Sequence, residues 1–134
     1  MPKHVRARPV SRSDVSAYLA KAEQYLSAAS DSLAAGRTIA ASSLAVHAGI
    51  NAADAVTGAR LGVRATGENH DQALLLLRQA GPDGTAGARD LARLLPLKAR
   101  AEYDPDDVPA SVASRAVEHA RRCVSTTRRV VLTT

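Results

Sequence analysis

The chain of 134 residues contains no phenylalanine and no tryptophan, and tyrosine occurs only at Tyr18, Tyr25 and Tyr103. Its hydrophobic residues, 46% of the total, are mostly alanine, leucine and valine. Small side chains of this kind suit closely packed helices better than a β-sandwich, which is typically rich in β-branched and aromatic residues. The shortage of aromatics also argues against a base-stacking nucleic-acid module, in which aromatic and basic side chains alternate.

Cysteine is almost absent as well, since Cys123 has no partner for a disulfide within the chain. A lone cysteine is typical of a reducing compartment. It lies on the apolar side of a predicted helix, so we expect an inert core thiol rather than a nucleophile. No apolar run approaches the ~20 residues of a membrane span, and residues 1–10 lack the apolar segment of a signal peptide. We therefore expect a cytoplasmic protein with no membrane partner.

Glycine-rich phosphate loops and dinucleotide fingerprints are missing, and the four histidines show no paired metal-ligand spacing. We therefore expect neither a cofactor nor a metal site. A net charge of +5 and a pI near 10.0 permit contact with nucleic acid without establishing it. Lys3, Arg6 and Arg8 make residues 1–12 a basic arm, which we expect to be flexible and to serve as a solubilising tail or a phosphate contact.

Residues 13–134 are predicted to form one domain, because apolar side chains recur there at three- and four-residue spacing. This periodicity predicts helices over about 14–35, 38–61, 69–80, 85–103 and 110–131. Ser11 and Asp14 predict a capping box on the first helix, and Glu68 or Asn69 is expected to cap the third. We also expect a turn at 81–84, a kink at Pro96 and no β-strand. The expected fold is all-α, an up-and-down four-helix bundle with an additional short helix.

A line of polar residues interrupts the apolar second helix. His47, Asn51 and Asp54 stand at i, i+4 and i+7, so they share one helical face. They either form a small network that fixes helix register or support a site made with a neighbouring helix. A buried Asp54 requires a cation nearby, and Lys98 or Arg100 is the predicted partner.

The end of the fourth helix concentrates basic and phenolic groups at Lys98, Arg100 and Tyr103. His70, in the first turn of the third helix, is either a solvated residue or a further site group. The last helix carries an arginine-rich face, which is either solvated or a surface that tracks phosphates. At the seam of that face we expect His119 to be half-buried and to have no chemical role.

Three segments resemble HEPN domains, a family of small all-helical bundles associated with nucleotides and RNA. The small-residue stretch 41–55 is similar to the second helix of the family. Residues 67–70, which end in His70, stand where family members often have a Thr-His or Asp-His pair. Residues 97–104, Leu-Lys-Ala-Arg-Ala-Glu-Tyr-Asp, resemble the Leu-Arg-x-x-Ala-Asp-Tyr ending of helix 4. With the order of the helices, the resemblance covers about residues 14–131.

The resemblance implies a homodimer with a cleft where the two helix-4 ends meet. In active ribonucleases of the family an Arg and a His line that cleft, and these positions fall on Lys98 and Tyr103 here. Many such proteins are toxins, some paired with a nucleotidyltransferase antitoxin. Lys98 binds phosphate without the bidentate fork of Arg, and a phenol with an ordinary pKa near ~10 is a poor proton shuttle compared with His.

The expected function is therefore binding of a nucleotide or RNA phosphate by a dimer. Lys98 and Tyr103 are the candidate catalytic groups of a weak or lost metal-independent ribonuclease, and Arg100, Asp54, His70, His47 and Asn51 are the candidate supporting groups. The alternative is a non-catalytic helical module for interaction or dimerisation, in which the polar line of the second helix only fixes register.

Overall fold

A computed structural model describes residues 5–67 and 70–134, and helices dominate it, as the all-α prediction requires. Within these residues the helices are α1 (Arg12–Ala34), α2 (Thr38–Leu61), α3 (His70–Arg78), α4 (Gly81–Leu94), α5 (Pro96–Tyr103) and α6 (Ala110–Leu132). Two short strands, β1 (Ala7–Pro9) and β2 (Val63–Ala65), complete the described elements. Lys3 and the predicted caps Glu68 and Asn69 lie outside the described residues.

The first helix begins as its sequence predicts. The Ser11 hydroxyl accepts a hydrogen bond from the Asp14 amide at 3.1 Å, and the Asp14 carboxylate accepts one from the Ser11 amide at 3.2 Å. This reciprocal pair confirms the capping box and satisfies two amides that the helix itself leaves open. A buried stripe of Val15, Ala22, Leu26 and Ala29 then packs α1 on the core.

The core is built around α2, which packs against α1, α4, α5 and α6. Its small residues allow close approach, and a Cβ added at Gly49 would lie 2.6 Å from Leu94 Cδ1. By length and composition α2 is the one described helix that is apolar enough to cross a membrane, although 61% of its tested window is buried within the protein. Polar residues such as Ser42 and Ser43 interrupt the apolar sequence of α2, so a search for one long uninterrupted apolar run does not detect this helix.

The expectation of no β-strand is wrong. Ala7–Pro9 pairs antiparallel with Val63–Ala65, and the Val10 amide donates to the Gly62 carbonyl at 2.9 Å. Residues 7–9, assigned to a flexible arm on sequence grounds, are thus attached to the bundle by backbone hydrogen bonds. Strands of three residues are too short to produce a period-two pattern, which explains why the sequence does not reveal them.

The predicted turn at 81–84 is also wrong, because α4 begins at Gly81. Gly81, the first residue of α4, has a φ of +86°, which is readily adopted only by glycine. Pro82 then occupies the first helical turn, where its missing amide hydrogen costs nothing. Gly84 is buried inside the helix, and a Cβ there would collide with the Leu77 carbonyl oxygen. Gly84 therefore allows α3 and α4 to approach closely and makes no turn.

The predicted long fourth helix is two helices, α4 and α5, separated at Leu95. Leu95 keeps helical dihedral angles and its amide still donates to the Leu91 carbonyl at 3.0 Å. Pro96 has no amide hydrogen, so it cannot continue the hydrogen bonding of α4. In the next turn the Lys98 amide donates to the Leu95 carbonyl at 3.1 Å. The interruption lies where the kink is predicted, and α5 packs on α2.

Candidate functional site

Side chains of three helices meet beside His47 of α2. The Glu102 carboxylate of α5 lies between His47 and Lys98. One of its oxygens is 3.7 Å from His47 Nε2, and the other is 3.5 Å from Lys98 Nζ of the same helix. His70, at the start of α3, is close enough for its charge to interact with His47, Lys98 and Glu102. We refer to His47, His70, Lys98 and Glu102 as the Lys98 cluster. It unites three of the predicted site residues.

His70 differs from an ordinary surface histidine in its charge state. Partial burial lowers its pKa, and the neighbouring Lys98 lowers it further, against the opposing influence of Asp71 and Glu102. Both main causes disfavour the imidazolium form. His70 is therefore a neutral ring at pH 7, with one nitrogen that donates a hydrogen bond and one that accepts.

The other face of His47 is held by α1. The His47 ring packs on the Tyr25 ring, with the two centroids 5.3 Å apart and the planes tilted by 32°. One turn further along α2, the Asn51 amide donates to the His47 carbonyl at 2.9 Å. Asn51 is thus tied to the backbone of its own helix, which fits the register interpretation better than a ligand-binding role.

Asp54 has partners other than those predicted. Its carboxylate lies 4.0 Å from Arg64 Nη1 of β2 and also interacts with Lys21 of α1. Neither Lys98 nor Arg100 is among the cations that act on Asp54, and Lys98 pairs with Glu102 instead. Burial raises the Asp54 pKa from 3.8 to about 6, although both cations lower it. The expected pairing of Asp54 with Lys98 or Arg100 is therefore wrong.

Tyr103 does not join the cluster. It is 75% exposed at the last residue of α5, and no hydrogen bond or ion pair of its side chain occurs within the described part of the chain. Five residues separate it from Lys98, which turns the two side chains about 140° apart around the helix. Arg100 is half-buried and likewise forms no ion pair with a described residue. The two candidate catalytic groups, Lys98 and Tyr103, are not brought together within one chain.

Several groups of the site were not predicted. Glu102 follows Lys98 by four residues, a spacing that the sequence displays and that signals an ion pair on a helix. Lys21 and Tyr25 also share a face of α1, but nothing in the sequence indicates that this face meets the polar line of α2. Arg64 lies in a three-residue strand, and no local pattern identifies it.

Four of the five arginines on the arginine-rich face of α6 are paired with carboxylates, and Arg115 has no ion pair to a described residue. Arg121 binds Glu118 at 2.7 Å, and further arginine–carboxylate pairs join α6 to α1 and α4: Arg122 with Asp90, Arg128 with Glu23 and Arg129 with Asp83. His119 is half-buried, as expected, and its Nδ1 lies 2.8 Å from Asp90 Oδ1. This neutralised surface fits the solvated interpretation rather than a phosphate-tracking one.

Cys123 is buried under α4, and burial raises its pKa to about 12. At that pKa essentially no thiolate exists near neutral pH, so the expected inert core thiol agrees with the structure. No group of three or more His, Cys, Asp or Glu side chains suited to a metal ion occurs among residues 5–67 and 70–134.

The chain matches no protein-family model, and no curated protein is significantly similar to it. Function must therefore be inferred from the site itself. The Lys98 cluster offers one cation, one carboxylate and two imidazoles at a partly open surface. Such groups bind an oxyanion through charge and hydrogen bonds.

Proposed function

We propose that this cytoplasmic protein is a HEPN-like four-helix bundle of up-and-down topology that acts as a homodimer and binds a nucleotide or RNA through a phosphate group at the Lys98 cluster. The observation that carries the proposal is the convergence of Lys98, His47 and His70 from three helices beside the Glu102 carboxylate. Phosphate oxygens accept hydrogen bonds from the ammonium and imidazole groups, and these bonds are strongest when the donor is charged.

The ligand must compete with Glu102 for Lys98. Their ion pair is 3.5 Å long and about a third of the lysine side chain is exposed, so its contribution to stability is at most about 1 kcal/mol. A phosphate with a larger negative charge displaces the carboxylate at small cost. Glu102 then remains 3.7 Å from His47 Nε2.

Cleavage of RNA, in contrast, is expected to be weak or lost. Tyr103 points away from Lys98 within one chain, and a phenol is a poor proton shuttle at neutral pH. The proposed role is therefore a regulatory or toxin–antitoxin component, with a nucleotidyltransferase-type antitoxin as the expected partner protein. Its ribonuclease site is degenerate.

Binding of labelled RNA and of a mononucleotide to the wild-type protein and to Lys98→Ala tests the proposal. We expect a roughly two- to fivefold loss of affinity for both ligands, because a partly exposed charge contact is removed. Arg115→Ala is the matched control, since Arg115 is an exposed cation on α6 with no ion pair to a described residue. Equal affinity of wild type and Lys98→Ala, or no binding by either, contradicts the proposal.

The second candidate function is a non-catalytic interaction module, favoured by the internal hydrogen bond from Asn51 to the His47 carbonyl. In that case Glu102 serves only to hold α5 on α2. Lys98→Ala then lowers the melting temperature, and no nucleotide or RNA raises it. Dimerisation does not discriminate between the two candidates, because both predict it.

A further inference from the structure

Two arginines face each other in the short sheet. The antiparallel register sets Arg8 of β1 directly opposite Arg64 of β2, so both side chains leave the same face of the ribbon. Like charges in this arrangement repel and weaken the pairing. Arg8 is exposed and has no acidic partner among the described residues, whereas the described acidic contact of Arg64 is Asp54 at a loose 4.0 Å.

This pair differs from the arginines of α6. There, four of the five arginines on the solvated face lie within 2.7–3.1 Å of a carboxylate, and Arg115 is the exception among the described residues. The ribbon instead holds two guanidinium groups: Arg8 has no acidic partner among the described residues, and Arg64 faces the largely buried Asp54 carboxyl, which also interacts with Lys21. Arg64 is also positioned over the Tyr18 ring, with its guanidinium carbon 5.7 Å from the ring centroid. The ribbon is therefore a fixed concentration of positive charge.

The ribbon and the Lys98 cluster lie at opposite ends of one surface. Asp54 and His47 share a face of α2, and α1 runs beside it with matching contacts at each end. Tyr25 of α1 packs on His47, while Tyr18 of α1 supports Arg64 next to Asp54. The seven-residue spacing on each helix corresponds to about 10 Å.

We infer that Arg8 and Arg64 form a second phosphate subsite, and that the ligand of the Lys98 cluster is a single polynucleotide strand that reaches both subsites. The inference rests on the proposed function, because it presumes a phosphate at Lys98. His47 and Asp54, which mark the two ends of this surface, are about 10 Å apart along α2. A stacked strand rises about 3.4 Å per nucleotide, so a strand of several nucleotides is long enough to reach from one end to the other. A mononucleotide occupies one subsite only. A bound phosphodiester also removes the repulsion between the two arginines.

The test compares an RNA of about six nucleotides, long enough to span both subsites, with uridine monophosphate. Arg8→Ala is expected to weaken binding of the RNA roughly two- to fivefold and to leave binding of uridine monophosphate unchanged. The slope of log K against log salt should fall by about 0.7 for the lost phosphate contact. Arg115→Ala, which removes an equal charge from α6, should change neither the affinity nor the slope. Circular dichroism of Arg8→Ala checks that the helices remain intact.

The outcomes separate this inference from the proposed function. If Lys98→Ala weakens both ligands and Arg8→Ala weakens neither, the second subsite is refuted and phosphate binding at the Lys98 cluster stands. If Arg8→Ala weakens both ligands equally, a mononucleotide already reaches the ribbon and the two-subsite arrangement is refuted. If Lys98→Ala changes the binding of neither ligand, the proposed function is refuted. The inference that one strand reaches both subsites is then refuted as well.

Discussion

Asp54 lies on α2 with 14% of its side chain exposed, and the nearest Arg64 nitrogen is 4.0 Å from its carboxylate. Removal from water disfavours the ionised form more than the two nearby cations favour it, so the pKa rises from 3.8 to about 6. Between these two values the folded protein binds more protons at Asp54 than the unfolded chain does. Its contribution to the free energy of unfolding therefore declines as the pH rises from about 4 to about 6.

Asp54→Asn removes this titration. The difference in unfolding free energy, wild type minus variant, should fall by up to about 3 kcal/mol between pH 4 and pH 7, which is the shift of the pKa expressed as free energy. Urea unfolding at several pH values measures it. Asp31→Asn, at an exposed position of α1, is the control and should leave the pH profile unchanged. Parallel profiles of wild type and Asp54→Asn would show that Asp54 titrates alike in the folded and unfolded states.

At the scale of residues, spacing within one helix was a reliable guide and partners across helices were not. The shared face of His47, Asn51 and Asp54 follows directly from helical geometry. The cation of Asp54, in contrast, depends on which element is packed alongside, and Arg64 comes from a strand without a sequence signal. The motif that joins Lys98 and Tyr103 in the sequence likewise does not place them on one side of α5.

Two glycines of α4 offer a comparison at the scale of elements. A Cβ at Gly84 would collide with the backbone oxygen of Leu77, whereas a Cβ at Gly87 would meet Leu77 Cδ2 at an ordinary 3.6 Å. Backbone atoms cannot move aside as the end of a side chain can. Gly84 is therefore required for the contact of α3 with α4, and Gly87 is not.

Alanine substitution at these two positions should have opposite effects. Gly84→Ala should lower the free energy of unfolding by about 1–3 kcal/mol, because overpacking forces α3 and α4 apart. Gly87→Ala should be neutral or stabilising by up to about 1 kcal/mol, since alanine favours the helix. Thermal and urea unfolding of both variants provide the measurement. A loss of stability in Gly87→Ala as large as that in Gly84→Ala would mean that helix packing does not distinguish the two positions.

The presence of the helices was predictable from the sequence, whereas the points at which two elements approach each other closely were not. Long amphipathic or apolar stretches and the Ser11–Asp14 capping box place α1, α2 and α6 within a few residues of their observed bounds. The dipeptide Gly81-Pro82 indicates a turn by local chemistry alone, yet this segment is the start of α4, and its Gly84 packs closely against the Leu77 backbone. Local propensity yields to packing at such positions.

At the scale of the whole molecule, the net charge of +5 is unevenly compensated. Carboxylates pair with α6 arginines, as in Arg128 with Glu23 and Arg129 with Asp83. On the surface formed by the ribbon, α1 and α5, Arg8 has no acidic partner among the described residues, and the described acidic contact of Arg64 is a loose 4.0 Å. An anionic strand is therefore attracted to that surface more than to α6.

The ionisation of Asp54 makes the net charge of this surface depend on pH. Lys21 of α1 and Arg64 of β2 face Asp54, so its ionised form, dominant above about pH 6, offsets the positive charge of the ribbon. We expect Asp54→Asn to bind a short RNA roughly two- to fivefold more tightly than wild type at pH 7.5, and this advantage to shrink at pH 5.5, where the wild-type carboxyl is largely protonated. The histidines are the same in both proteins, so any effect of pH on them cancels in the ratio of the two affinities. Fluorescence anisotropy at the two pH values measures that ratio. A ratio that stays constant with pH would show that the charge of Asp54 does not influence RNA binding.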